Sequence, residues 1–292
     1  MHIDQGYFMH RITQGAARPY ALVLAFSHQV TTGAPFVDHP VARAWWTALW
    51  LGGAGAVVAY RVLLPLGRTL RHRLRVAEVT SDSPGVVSVV LEGRALDRLG
   101  AVGGQFVQLR VLKRGLWWQA HPYSVSAMPA RDRLRVTLRA DGDYGAALAA
   151  ARPGTRVAIE GPYGAFTKHA MSTDRVLLAG AGVGVAPLRA LLEDLPQGTD
   201  VVVLARAGAE RNLVLRDEIR ELVRRHGGRL HELVGGRDDV PLHSGELTRL
   251  VPDLPARDVY VCGPEGFTEV VRAATRAVGV PEQRIHDEAF AF

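Results

Sequence analysis

From Ala44 to Tyr60 the chain reads AWWTALWLGGAGAVVAY, with no ionisable group before the final tyrosine. Arg61 interrupts the run and Val62 to Leu66 resume it, giving about 23 positions in all. A helix needs roughly 20 apolar residues to cross a bilayer. No helical polar face can be drawn through this stretch, so the pattern predicts a membrane span over about residues 42–66. Trp45, Trp46 and Trp50 occupy one end, where an interfacial aromatic belt belongs, and Arg61 lies close enough to the other end to snorkel. Arg68, Arg71, Arg73 and Arg75 follow, and the positive-inside rule places that end, with residues 67–292, in the cytoplasm. The alternative reading is a buried, glycine-containing core helix followed by a basic linker. A second apolar run, Tyr20 to Val30, is too short to span alone, and residues 1–19 lack the order of a signal peptide.

From about Leu74 the period changes to two. RLRVAEV, GVVSVVL, QFVQLRVL and RLRVTLRA alternate between breaks of Gly, Pro and Asp, which predicts a small antiparallel barrel. From about Arg175 short apolar strands (VLLAGAG, DVVVLARA, RLHELVGG, DVYVCGP) alternate with the helical stretches PLRALLEDL, LVLRDEIRELVRR and EGFTEVVRAATRAVG. That alternation predicts a parallel sheet covered on both faces. The expected domains are therefore a partial transmembrane region (1–66), a β-barrel (67–168) and an α/β domain (172–292).

Composition adds two constraints. The 292 residues are 48% hydrophobic and 22% charged, which excludes a disordered chain. Cys262 is the lone cysteine, so neither an internal disulfide nor a protein-held iron–sulfur cluster is possible within this chain. The net charge of +6 suits an anionic membrane face; no nucleic-acid partner is expected.

Three motifs carry candidate chemistry. Gly180-Ala181-Gly182-Val183-Gly184-Val185-Ala186-Pro187 joins a strand to a helix, where glycine lets backbone approach a phosphate and the helix start supplies N–H donors. Pro187 is equally a helix-start signal. Cys262-Gly263-Pro264 ends another strand of the same sheet, and ligands in open α/β sheets sit beyond such ends. In the β half, His121-Pro122-Tyr123-Ser124-Val125-Ser126 sets an aromatic beside a hydroxyl, able to cover a flat ring and bond its edge.

In this order, Gly104-Gln105-Phe106, HPYSVS, Gly161-Pro162-Tyr163-Gly164, GAGVGVAP and CGP, followed by an aromatic C-terminus, resemble the ferredoxin–NADP reductase superfamily over about residues 70–292. His121 at the start of the flavin motif, Arg139 followed by Gly142-Asp143-Tyr144, and an apolar run upstream are similar to its ferric reductase and NADPH oxidase branch. The resemblance implies an antiparallel flavin barrel and a five-stranded α/β nicotinamide domain. It implies that Tyr123 lies against the isoalloxazine, Ser124 reaches its edge, and His121 and Arg139 serve the FAD phosphates. It sets Gly180, Gly182 and Gly184 under the nicotinamide nucleotide and Cys262, Gly263 and Pro264 around the nicotinamide. Phe292, or Phe290, is then the terminal aromatic near the flavin. Ser124, Cys262 and Phe292 are the implied catalytic set. Gly145 and Ala186 stand where the family has a hydroxyl residue.

The function expected on this basis is a membrane-associated flavoprotein passing electrons from NADH or NADPH through FAD to a one-electron acceptor: a ferric chelate, a haem or a redox protein. Arg206 and Arg211 are candidates for a 2′-phosphate. His28 is the haem-ligand candidate that the resemblance offers, but the expected partner position holds Gly15, so haem is not expected in this chain alone. The alternatives are a reductase component feeding a separate ferredoxin or oxygenase, and a remnant without turnover.

Overall fold

The computed structural model describes residues 39–236 and 241–290, without the side chains of 289 and 290. His28, Arg237 to Val240 and Phe292 lie outside the described residues. Two compact units divide at Leu64 and Pro65.

The first unit carries α1 (Pro40–Val58) and a π-helical turn (Ala59–Leu63); α2 (Leu64–His72) continues the helix and from Pro65 on belongs to the second. The helix outruns the expected span because the wide turn just before Pro65 accommodates the missing proline N–H. It ends where Arg73 takes a left-handed conformation at φ 49°. No residue of α1 is buried. Among the described residues, this 33-residue helix is the one long and apolar enough to cross a membrane.

Beyond α2 the second unit forms the predicted barrel. Its strands are β1 (Arg75–Ser83), β2 (Val86–Glu92), β3 (Phe106–Val111), β4 (His121–Ala127), β5 (Arg133–Arg139) and β6 (Val157–Tyr163), in the order β1-β2-β5-β4-β3-β6. An Arg75–Arg156 bridge closes the ends. Alternate residues such as Val76, Val89, Leu91, Val107, Leu109, Val136 and Ile159 fill the interior. A short helix, α3 (Gly142–Ala149), follows β5.

The α/β part is a five-stranded parallel sheet. It comprises β7 (Arg175–Ala181), β8 (Asp200–Ala207), β9 (Arg229–Val234), β10 (Asp258–Pro264) and β11 (Ile285–Phe290), ordered β11-β10-β7-β8-β9. Its helices are α4 (Val185–Asp194), α5 (Arg216–His226), α6 (Ser244–Leu250) and α7 (Glu265–Ala277). The central strands β7, β8 and β10 are buried along nearly their whole length, as the unbroken apolar runs require.

The two halves of this unit touch closely. Helix α4 packs on β4, and a Cβ at Gly103 would come within 2.4 Å of the Ala190 carbonyl oxygen. Arg135 of β5 donates two 2.7 Å hydrogen bonds to Glu218 of α5, which also meets Arg189 Nε of α4 at 2.7 Å. The Met128 N–H donates to Glu193 at 2.7 Å, and Lys168 Nζ meets Asp194 at 2.7 Å.

Candidate active site

Strand β4 presents the flavin-type motif. Its period of two turns His121 and Tyr123, with Val125, toward the barrel core, where Tyr123 is half-buried, and sends Ser124 to the opposite face. The His121 ring stacks on Tyr144 of α3 with centroids 4.2 Å apart, and Tyr123 lies 6.4 Å from the same ring. Tyr144 is fixed in turn, donating to the Leu109 carbonyl and accepting from the Val111 N–H. Burial lowers the His121 pKa; burial, and then Tyr144, raises that of Tyr123. Both groups are therefore neutral near pH 7, as suits an aromatic wall beside a flat ring.

Ser124 is 5% exposed, and its Oγ has no hydrogen-bond partner. A buried hydroxyl without a partner costs about 1–3 kcal/mol. Such an atom on the strand that carries the aromatic wall fits a flavin edge. Ser124 is thus the residue of this motif whose unmet hydrogen bond fits FAD. Gly145, where the family carries a hydroxyl, is tightly enclosed: a Cβ there would stand 2.8 Å from the Arg139 carbonyl oxygen.

The second part of the site is a cavity of about 930 Å³ between barrel and α/β sheet. Ser83, Pro84, Val86 and Arg139 line its barrel side, and Gly182, Arg206, Asn212, His243, Pro264 and Phe267 its α/β side. Arg139, expected at the flavin phosphates, therefore faces this cavity, with its Nε 2.6 Å from Asp141. Arg206 donates to the Gly236 carbonyl at 2.8 Å.

The glycines at the β7–α4 turn divide the work. Gly182 adopts φ +55° and has open space where a Cβ would sit, so it is the one that opens onto the cavity. Gly180 is packed under Leu188 and Val185, and a Cβ on Gly184 would lie 2.3 Å from the Cys262 carbonyl oxygen. These two glycines let β7, α4 and β10 close on one another and do not line the cavity. Pro187 is buried within the first turn of α4.

Cys262 is fully buried among Val183, Val185 and Leu188, and burial, then Glu288, pushes its thiol pKa well up. Its side chain does not line the cavity, so it is no exposed nucleophile; its backbone shapes the turn. Gly263 is buried beside it, and Pro264 reaches the cavity wall. The backbone of Phe290 lies opposite Pro264.

Sequence reasoning missed Glu288. The β10–β11 register sets it opposite Cys262, burial raises its pKa to about 7, and Oε2 has no partner. It also missed Phe267, whose ring comes within 3.0 Å of where a Gly263 Cβ would be. The spacing from CGP into a helix was the available signal.

Comparison with known proteins agrees with this geometry. Residues 73–167 match an FAD-binding domain family, and residues 178–273 an oxidoreductase NAD-binding domain family. The chain is 36% identical over 242 residues to the ferredoxin reductase component of 3-ketosteroid-9-alpha-monooxygenase from Mycolicibacterium smegmatis, covering 77% of this chain and 67% of that protein. A flavohemoprotein of Deinococcus radiodurans is 30% identical over 237 residues, 74% of this chain and 58% of the relative. The FAD/NAD-binding domain of nitric oxide dioxygenase from Vibrio cholerae superposes with a TM-score of 0.64 at 25% identity, covering 75% of this chain and 99% of that one. These relatives do not single out the ferric reductase and NADPH oxidase branch, so that finer assignment is replaced by the broader one. The chain is an NAD(P)H-dependent FAD oxidoreductase and belongs to the ferredoxin–NADP reductase-like family of flavin- and nicotinamide-binding reductases.

Proposed function

We propose that this chain is the reductase component of an electron-transfer system, feeding a separate redox protein of ferredoxin or oxygenase type. The observation that carries this reading is the 36% identity to a ferredoxin reductase component, spread across both cofactor domains. The lone cysteine, fully buried, agrees: an iron–sulfur relay, where one is needed, must sit on other residues than these.

FAD, when bound, supplies the conversion of a two-electron hydride into single-electron transfers. The chain's own residues bind and orient. Tyr123 would cover one ring face, Ser124 Oγ would donate to the ring edge, and His121 steadies Tyr144. Gly182 would admit the nucleotide to the cavity, Arg206 and Arg139 would offer positive charge to its phosphates, and Pro264 with Phe267 would bound the nicotinamide end.

A second reading is favoured by one observation, the exposed apolar helix Pro40–His72. In it the chain is tethered to a membrane, its catalytic domains on the cytoplasmic side with the arginines, and ferric iron is a further acceptor. Steady-state turnover with NADH and NADPH, comparing a ferredoxin with a ferric chelate, separates the two acceptors. Faster reduction of the ferredoxin supports the first reading, and turnover with the chelate alone overturns it.

A further inference from the structure

Between β3 and β4 the segment Leu112-Lys113-Arg114-Gly115-Leu116-Trp117-Trp118-Gln119 crosses the surface. Trp117 is 61% exposed, Trp118 57% and Leu112 44%. The segment is structured: the Leu116 and Trp117 N–H groups donate to the Lys113 carbonyl at 3.0 and 3.1 Å, and the Trp118 indole donates to the Gly115 carbonyl at 3.1 Å. Its own hydrogen bonds thus hold two adjacent indoles in solvent. An apolar ring with a single N–H is the side chain best matched to the boundary between hydrocarbon and water.

Backbone pairing places this loop beside the junction of helix and barrel. The Leu112 N–H donates to the Arg156 carbonyl at 2.9 Å, and the Val157 N–H donates to the Leu74 carbonyl at 3.0 Å. Arg75 and Arg156 are bridge partners. The loop is therefore one rung from Arg73–Arg75, the residues that leave α2. Arg71, Arg73, Arg75, Lys113, Arg114 and Arg156 are all exposed, and none forms an ion pair with a described residue. Glu92 lies across from Arg75 on β2. Exposed, unneutralised cations beside paired tryptophans complement an anionic lipid surface.

We propose that the Trp117–Trp118 loop, with these six cations, is a second membrane contact, seated in the headgroup region of a bilayer containing anionic lipid. The proposal rests on the reading of Pro40–His72 as a membrane tether. Its consequence reaches the flavin strand: Gln119 Oε1 lies 3.2 Å from His121 Nε2, so the contact fixes the edge of β4 at the bilayer surface.

The test uses the full chain with Trp45, Trp46 and Trp50 each changed to Phe, leaving Trp117 and Trp118 as the only tryptophans. It is mixed with vesicles of phosphatidylcholine and phosphatidylglycerol, with and without bromine on the acyl chains. The expected result is a blue-shifted tryptophan emission that brominated lipid quenches. Quenching should weaken in pure phosphatidylcholine and after Lys113→Glu with Arg114→Glu. Flotation of the same samples reports the helix tether separately. Emission indifferent to brominated lipid overturns the proposal whether or not the chain floats; quenching without flotation sustains the loop contact and removes the tether. Trp117→Ser with Trp118→Ser should keep its FAD and its turnover with a soluble acceptor. Loss of flavin from that variant would make the pair a cofactor cover, and emission of the Trp117–Trp118 chain that a bound redox protein quenches while brominated lipid does not would make it a protein dock; either outcome overturns the proposal.

Discussion

Ser124 is where residue-level chemistry is sharpest. Its buried, partnerless hydroxyl is a cost to the fold that a bound flavin edge would offset. Ser124→Ala should therefore leave the melting temperature of the flavin-free protein unchanged or slightly higher. It should slow hydride transfer about tenfold or more, the effect of losing roughly 1.4 kcal/mol of orientation. Stopped-flow flavin reduction beside melting curves checks both. Glu288 gives a pH signature. Burial raises its pKa from 4.5 to about 7, so the folded chain holds a proton that the unfolded chain releases. Its stabilising contribution is fully present below pH 4.5 and is lost as pH rises through about 7, up to about 3 kcal/mol in all. Glu288→Gln should flatten that falling limb in denaturant titrations between pH 5 and 8. Ser124 was legible in the sequence because a motif announces it. Glu288 was not, since its character comes from the pairing of β11 with β10, which joins residues 26 apart.

At the scale of elements, the GAGVG turn shows how one motif serves two purposes. Gly182→Ala places a side chain in open space at a positive φ; it should cost about 1–2 kcal/mol of backbone strain and weaken nicotinamide binding. Gly184→Ala instead drives a methyl into the Cys262 carbonyl and should destabilise by about 1–3 kcal/mol or more, with nicotinamide affinity falling only as the fold does. Chemical denaturation and NADP⁺ titration of both variants separate the roles. The spacing alone predicted the turn but could not divide its glycines, because packing partners at Leu188 and Cys262 come from elsewhere in the chain. The strand runs around Val89, Leu109 and Val136 were readable from period two, and those around Leu178 and Val203 from unbroken apolarity. The short helix α6 escaped because SGELTRL carries little apolar periodicity.

On the scale of the whole molecule, barrel and nucleotide domain are joined by charge as well as by apolar contact. Arg135 and Arg189 hold the Glu218 carboxylate below its ordinary pKa although burial alone would raise it. Glu218→Gln should loosen the two domains, lowering the rate of flavin reduction more than FAD content, with a loss of about 1–3 kcal/mol in stability. Stopped-flow rates beside bound-flavin absorbance test this. No sequence pattern reveals such a network, since its members lie on β5, α4 and α5. In the proposed function, hydride enters from NAD(P)H at FAD and electrons leave singly. Anaerobic titration of the holoprotein with NADH or NADPH, followed by a one-electron acceptor protein, tests this in one experiment. Bleaching of the flavin absorbance by about one nicotinamide per FAD, then recovery on adding oxidised ferredoxin, is the predicted result. A flavin spectrum that neither nucleotide bleaches would contradict it.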